Sequence, residues 1–254
     1  MAAPVTLALV GGTGLTELTE HVETCVPDTP YGAPSAPVRI IETDPVRLLF
    51  LPRHGSPHRF PPHRVNYRAN MWALREAGAN HVLAVSAVGG ITDSYAPGTL
   101  AAPDQLIDYS WGREHTYSDS GDVPLVHVDF SHPYEGPLRK ALLRCAASHS
   151  IDVIDGGCIG VFQGPRLESA AEVERARRAG CDMAGMTSLP EAGLARELGL
   201  DYAGIAVVSN WGAGVSGHLI SEDDIAETLT EPMARVRTLV RAVVNHLAEQ
   251  GCAT

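Results

Sequence analysis

Lysine is nearly absent. Lys140 is the only one among 254 residues, so the chain's cationic side chains are otherwise arginines. Chemistry that needs a Schiff base or a P-loop lysine has one possible source, and its setting, "GPLRKALLRCAASH", reads as an ordinary helix. Long apolar runs are missing too; none approaches the ~20 residues that a membrane-crossing helix needs. Basic residues are outnumbered, 19 Lys and Arg against 30 Asp and Glu, for a net charge of −11. That balance argues against nucleic-acid or anionic-membrane partners. Cysteines are few and scattered: Cys25, Cys145, Cys158, Cys181 and Cys252 show no paired spacing. Reduced thiols in a cytoplasmic protein are expected. The opening "MAAPVTLALVGG" has no basic leader, so no secretory signal is expected.

What is present is an alternation of short apolar runs and helical patterns. Residues 5–10, 46–51, 81–88, 157–162 and 202–209 read as buried strands. "NYRANMWALREAG" offers Asn66 as a helix cap and Gly78 as a stop; "ESAAEVERARRAG" stops at Gly180; "PEAGLARELG" has Pro190 in its first turn and Gly199 as its stop. The last helix has Ser221 and Asp224 as a capping box, then Ile225, Leu229, Met233, Val236, Val240, Val243 and Leu247 on one stripe. No repeat or linker interrupts the chain. The expectation is one α/β domain over residues 1–254, a mixed central sheet flanked by helices.

In "LALVGGTGLTEL" a predicted strand runs into Gly11, Gly12 and Gly14, with Thr13 among them. A dinucleotide fingerprint needs a third glycine where Glu17 stands, and a P-loop needs Gly-Lys-Ser/Thr, which is missing. What remains is either a nest of free N–H groups with one hydroxyl, suited to a single phosphate, or a tight glycine turn without a ligand.

From Val46 to Arg75 there is no acidic residue, while Arg47, Arg53, Arg59, Arg64, Arg68 and Arg75 all fall there. His54, His58 and His63 join them. Arginine neighbours would repel a divalent cation and attract an anion, so the segment reads as a phosphate or carboxylate site fed by Arg53, His54 and His58, with a solvated basic loop at an oligomer contact as the alternative. "AVSAVGG", with Ser86 and Ala87, ends a third strand in free N–H groups.

The runs "VGGTGL", "RHG…H…VNYRANMWAL", "VSAVGGI", "QGPRLES…E" and "GMTSLPEAGLARELGL" together resemble the trimeric purine nucleoside phosphorylase and methylthioadenosine phosphorylase family, in order, from about residue 7 to residue 215. "PHRFPPHRVNYRAN" and "GREHTYS…HVDFSHPY" are most similar to its bacterial S-methyl-5′-thioinosine phosphorylase branch. The resemblance implies phosphate-dependent cleavage of a purine nucleoside, with no metal or organic cofactor, in a homotrimer that shares sites across its interface. It implies a phosphate site of Thr13, Arg53, His54, His58, Ser86, Ala87 and Thr187, with Met186 against the ribose. His115, Tyr117 and His132 lie in the loop expected to reach a neighbouring subunit, with packing as the alternative for His115 and Tyr117.

The resemblance also implies the base. Glu168 and Asn210 stand where members acting on 6-oxopurines carry Glu and Asn, and Gly212 replaces an aspartate of the adenine-specific branch. A carboxylate accepts from N1–H of hypoxanthine, and an amide donates toward N7; adenine would leave the carboxylate unpaired. Glu168 at a helix start and Asn210 as a turn former are the bland alternatives. Leu219, Ile220 and Ile225 are candidate walls for a 5′-methylthio group, whereas His218 and Glu222 would suit a hydroxyl. S-methyl-5′-thioinosine is therefore the expected substrate, with inosine or guanosine as the alternative; an oxidoreductase module or a non-catalytic purine binder are readings from other classes.

Overall fold

The computed structural model describes residues 5–14, 23–43, 46–120 and 124–251. Leu15–Glu17 of the glycine-loop reading, the first four residues and Cys252 lie outside them. The strands are β1 (Val5–Gly11), β2 (Glu23–Cys25), β3 (Val38–Thr43), β4 (Val46–Pro52), β5 (His81–Gly90), β6 (Leu100–Ala102), β7 (Gln105–Asp108), β8 (Ile154–Asp155), β9 (Cys158–Val161), β10 (Met183–Gly185) and β11 (Asp201–Trp211). The helices are α1 (Tyr67–Glu76), α2 (Pro137–Ser148), α3 (Ala170–Arg178), α4 (Ser188–Glu197) and α5 (Glu222–Gly251). All five apolar runs expected to be strands are strands: β1, β4, β5, β9 and β11.

These strands form one mixed sheet. β1 lies between β4 and β5, parallel to both, with Leu7 beside Leu48 and His81. It is almost wholly buried, as a central parallel strand covered on both faces must be. Alternation divides its side chains. Leu7 and Leu9 join Leu83, Val85, Val236 and Val240 on the α2/α5 face; Ala8 and Val10 join Met71, Leu74, Ala192 and Leu194 on the α1/α4 face.

β5 changes partners along its length. Its first half pairs with β1 as far as Val10 beside Ala84, while its end pairs antiparallel with β10 through Gly89 and Gly90. β11 follows it on the other side, from Asp201 beside His81 to Trp211 beside Gly90, with a bulge between Val208 and Asn210. Between Ala84 and Gly89, one edge of β5 has no strand beside it among the described residues. This gap positions the site.

Local signals set the helix ends. Asn66 caps α1, its side chain accepting from the Ala69 N–H at 3.1 Å, and Gly78 turns the chain at φ +95°. Ser169 and Glu172 form a reciprocal capping box on α3. Leu189 is extended, so the helical part of α4 opens at Pro190 as expected. Ser221 accepts from Asp224 N–H at 3.1 Å at the start of α5. No described helix is long and apolar enough to cross a membrane.

Candidate active site

A cavity of about 780 Å³ opens at the carboxyl ends of β1, β4, β5, β10 and β11, where ligands of α/β sheets collect. Thr13 after β1, Arg53, His54 and His58 after β4, Ser86 and Ala87 in the β5 gap, and Thr187 after β10 all line it. So do Met186, Glu168, Asn210, Gly212 and Ile225. Segments more than 150 residues apart in sequence thus converge on one space. Ser86 Oγ and Thr187 Oγ1 lie 3.2 Å apart, a hydroxyl pair contributed by two different segments.

Arg53 is 1% exposed and bound on two sides. Nε donates to Glu191 Oε2 at 2.6 Å, Nη2 to Glu191 Oε1 at 2.8 Å, and Nη1 to the Val85 carbonyl at 3.0 Å. Burial pulls its pKa down, but the Glu191 carboxylate more than offsets this and holds the guanidinium above its ordinary value. Three of its five N–H donors are used, leaving one each on Nη1 and Nη2. Val85 lies just beyond the last β5 residue paired with β1. A Cβ on Gly12 would fall 2.8 Å from both Arg53 Nη1 and Val85 O. The glycine is needed for this close approach, a use unrelated to a dinucleotide.

His54 Nδ1 lies 2.8 Å from the Phe60 carbonyl. A carbonyl only accepts, so Nδ1 carries the proton and Nε2 a lone pair. The ring stacks on His58 at 4.4 Å. Burial first, and Arg53 next, push this imidazole down to about 4, so it is neutral at pH 7.

The arginine-rich segment is less of a cationic cradle than its composition implies. Arg47 donates to the Ala77 carbonyl, Arg68 pairs with Glu114 and Asp119, and Arg75 lies over Trp72. Arg53 and Arg59 reach the cavity, and Arg53 is already balanced by Glu191. Donor geometry therefore outweighs net charge here.

At the base-recognising positions, Glu168 directly precedes the α3 cap. Burial raises its carboxyl above the ordinary value, against the lowering effects of a backbone hydrogen bond and Arg166. Asn210 follows the β11 bulge; Nδ2 donates to the Trp211 carbonyl at 2.8 Å, and Oδ1 accepts from the Ser209 hydroxyl at 2.7 Å. This fixes the amide's orientation and leaves one N–H for another acceptor. Asn210 Nδ2 sits over Gly89, four residues along β5 from Val85, or roughly 13 Å at strand rise.

Ile220 does not line the cavity, contrary to expectation. α5 opens at Glu222, so its first turn supplies the wall through Ile225 and Ala226. The chain approaches that turn through an exposed stretch in which Leu219 is 96% accessible. His115, Tyr117 and His132 are not among the lining residues either. Tyr117 is a packing residue: its ring lies against Tyr31 and Trp72, and its hydroxyl donates to the Arg68 carbonyl.

Two residues that build the site lie inside the runs quoted above, Arg113 in "GREHTYS" and Glu191 in "GMTSLPEAGLARELGL", but were given no role by the sequence. Glu191 reads as an ordinary acid in a first helical turn. Arg113 binds main-chain carbonyls and one side-chain amide, partners with no sequence pattern.

Comparison with known proteins identifies the family. Residues 6–245 match the model of the Phosphorylase superfamily. The chain is 52% identical over 212 residues to a probable S-methyl-5′-thioinosine phosphorylase of Xanthomonas campestris pv. campestris, covering 83% of this chain and 85% of the relative. It is 41% identical over 250 residues to an S-methyl-5′-thioadenosine phosphorylase of Mycobacterium tuberculosis, covering 98% and 92%. The structure of methylthioadenosine phosphorylase from Schistosoma mansoni in complex with adenine matches with a TM-score of 0.92 at 30% identity, covering 96% of this chain and 92% of the other. The shared fold, the match over most of the length and a relative above half identity together establish that the chain belongs to the phosphorylase superfamily.

Proposed function

We propose that the chain is a phosphorylase of 6-oxopurine nucleosides that converts S-methyl-5′-thioinosine and inorganic phosphate to hypoxanthine and 5-methylthioribose 1-phosphate. One observation carries this reading. Anion-suited donors (Thr13, Arg53, Ser86, Thr187) and a carboxylate–amide pair (Glu168, Asn210) line a single cavity, spaced along β5 widely enough for a ribose between them. Relatives named for thioinosine cleavage support the choice of substrate.

Breaking the glycosidic bond builds positive charge on the ribose, as in oxocarbenium-like glycoside hydrolysis. The bound phosphate stabilises that charge from below the ring, with Met186 against the sugar, and then attacks the anomeric carbon. The bond pair leaves with the purine, whose growing negative charge meets the Asn210 N–H near N7, while Glu168 holds N1–H. The protein orients both substrates and supplies no nucleophile. Phosphate is a co-substrate, and the reaction calls for no metal or organic cofactor. At the 5′ end, Ile225 and Ala226 present apolar atoms, whereas His218 is exposed and outside the lining. This favours methylthio over hydroxyl, hence thioinosine over inosine or guanosine.

We assign a cytoplasmic homotrimer, whose subunit contact suits the exposed Trp111, Leu125 and Val126. The deciding experiment incubates the protein with methylthioinosine, inosine and methylthioadenosine, each with and without phosphate, and follows base release. Phosphate-dependent turnover of methylthioinosine is expected to lead. Turnover without phosphate, or preference for the 6-amino nucleoside, overturns the reading.

A further inference from the structure

We infer that Arg113 is a positioning residue whose guanidinium sets the spacing between the base-recognising and anion-holding segments. It is 9% exposed, and all five of its N–H donors are used. Nε donates to Gln163 Oε1 at 3.1 Å; Nη1 to the Met186 and Leu189 carbonyls at 2.8 and 2.6 Å; Nη2 to the Phe162 and Gln163 carbonyls at 2.9 and 2.9 Å. Every acceptor is neutral, and no carboxylate pairs with Arg113 among the described residues. Burial holds its pKa below the ordinary value. The Asp108 charge acts on it only from beyond hydrogen-bond reach, so the buried cation is tolerated because all its donors are satisfied.

The acceptors belong to two segments. Phe162 and Gln163 lead from β9 to the turn carrying Glu168. Met186 to Leu189 lead from β10 into α4 and carry Met186 and Thr187. The β9–β10 pairing ends with the Phe162 N–H on the Gly185 carbonyl at 2.7 Å, and beyond that bond the guanidinium provides the link. A third segment joins through Tyr67, whose ring lies 5.9 Å from the guanidinium and whose hydroxyl donates to the Pro62 carbonyl at 2.9 Å. All three meet at Gly164, where a Cβ would fall 2.6 Å from Met186 Sδ and 3.3 Å from Pro62 Cγ. One rigid planar group thus registers Glu168 against Thr187. A lysine cannot replace it, because its three donors leave one atom and cannot span four carbonyls.

The inference rests on the function proposed above, and its test keeps the two apart. Arg113→Lys preserves the charge and removes the fork. The variant's folding is checked by circular dichroism. With methylthioinosine, kcat is expected to fall roughly 10²-fold, the scale of an ångström-sized misplacement. KM for phosphate should rise, and the preference for methylthioinosine over methylthioadenosine should shrink. A merely structural role would lower stability and the active fraction while leaving KM and that preference unchanged. A folded variant with both unchanged overturns the inference. If Arg113→Lys does not fold, Gln163→Leu removes one of the five acceptors and must move both quantities in the same direction by a smaller factor; no movement overturns the inference. If the wild type phosphorolyses no nucleoside, the proposed function fails. Arg113 is then judged by titrating hypoxanthine and inorganic phosphate separately: both must bind more weakly to the variant, and unchanged binding of either overturns the inference.

Discussion

Tyr202 donates its hydroxyl hydrogen to Glu191 Oε1 at 2.9 Å, the same oxygen that receives Arg53 Nη2. Both oxygens of a fully buried carboxylate are therefore occupied, and Arg53 is held from a side it does not share with the cavity's other donors. Removing one partner of a buried ion pair leaves the other charge uncompensated. Glu191→Gln is expected to cost about 3–5 kcal/mol, and Tyr202→Phe, which removes one neutral donor, about 0.5–1.5 kcal/mol. Urea unfolding of the two variants checks the order. If Tyr202→Phe costs as much as Glu191→Gln, the charge pair is not what holds Arg53.

His54 links the site to stability through pH. Its native value is pushed down to about 4 from 6.5, so between those values the unfolded chain binds more protons than the folded one. Stability is then fully present above pH 6.5 and declines as pH falls toward 4, by roughly 3 kcal/mol when complete. His54→Asn retains a side-chain donor toward the Phe60 carbonyl and cannot titrate. The difference in unfolding free energy between wild type and variant, measured from pH 7 to pH 4, should narrow on acidification. A constant difference would mean that the imidazole is not held neutral.

The long apolar runs were legible because central strands buried on both faces have no polar positions to disguise them, as in β1, β4, β5 and β11. Short strands such as β2, β8 and β10 carry too few residues to show a period. Glycines and prolines fixed the helix ends through backbone chemistry that needs no partner. In the site, residues that line the cavity were legible from the motif strings, while the roles of Glu191 and Arg113, which lie in the same strings but act through tertiary contacts, were not. Glu191 and Arg113 gain their roles only when α4 and the loop after β7 are folded beneath the cavity. The cationic segment misled in part, since composition counts charges and cannot show that Arg68 turns to Glu114 or that Arg53 meets Glu191. Ile220 was misplaced for a similar reason: its neighbour Ser221 caps α5, so the wall starts a turn later.

Glu168 must be ionised to accept from N1–H of a 6-oxopurine, and burial raises its carboxyl above the ordinary value. As pH falls through that raised value the carboxylate gains a proton and the acceptor is lost. The acid limb of kcat/KM for methylthioinosine should therefore lie above the usual glutamate value of about 4.3. Glu168→Gln should abolish this limb and lower kcat/KM by about 10- to 10²-fold, the range for a hydrogen bond to a charged group. An acid limb persisting unchanged in the variant would assign it to another residue.

Discrimination at the 5′ end is asymmetric in physical terms. A methylthio group gains by leaving water for an apolar wall, whereas a hydroxyl placed there loses hydrogen bonds and finds no partner on Ile225 or Ala226. Ile225→Ser removes apolar atoms and adds a hydroxyl at the mouth of the cavity, so the two nucleosides should respond in opposite senses. The change in apolar contact is worth about 1–3 kcal/mol, or 10- to 200-fold. KM for methylthioinosine should rise within that range, while KM for inosine stays level or falls. Steady-state kinetics with both nucleosides at saturating phosphate decide the matter. A parallel rise for both would show that the substitution disturbs the first turn of α5 as a whole and that Ile225 does not select the 5′ group.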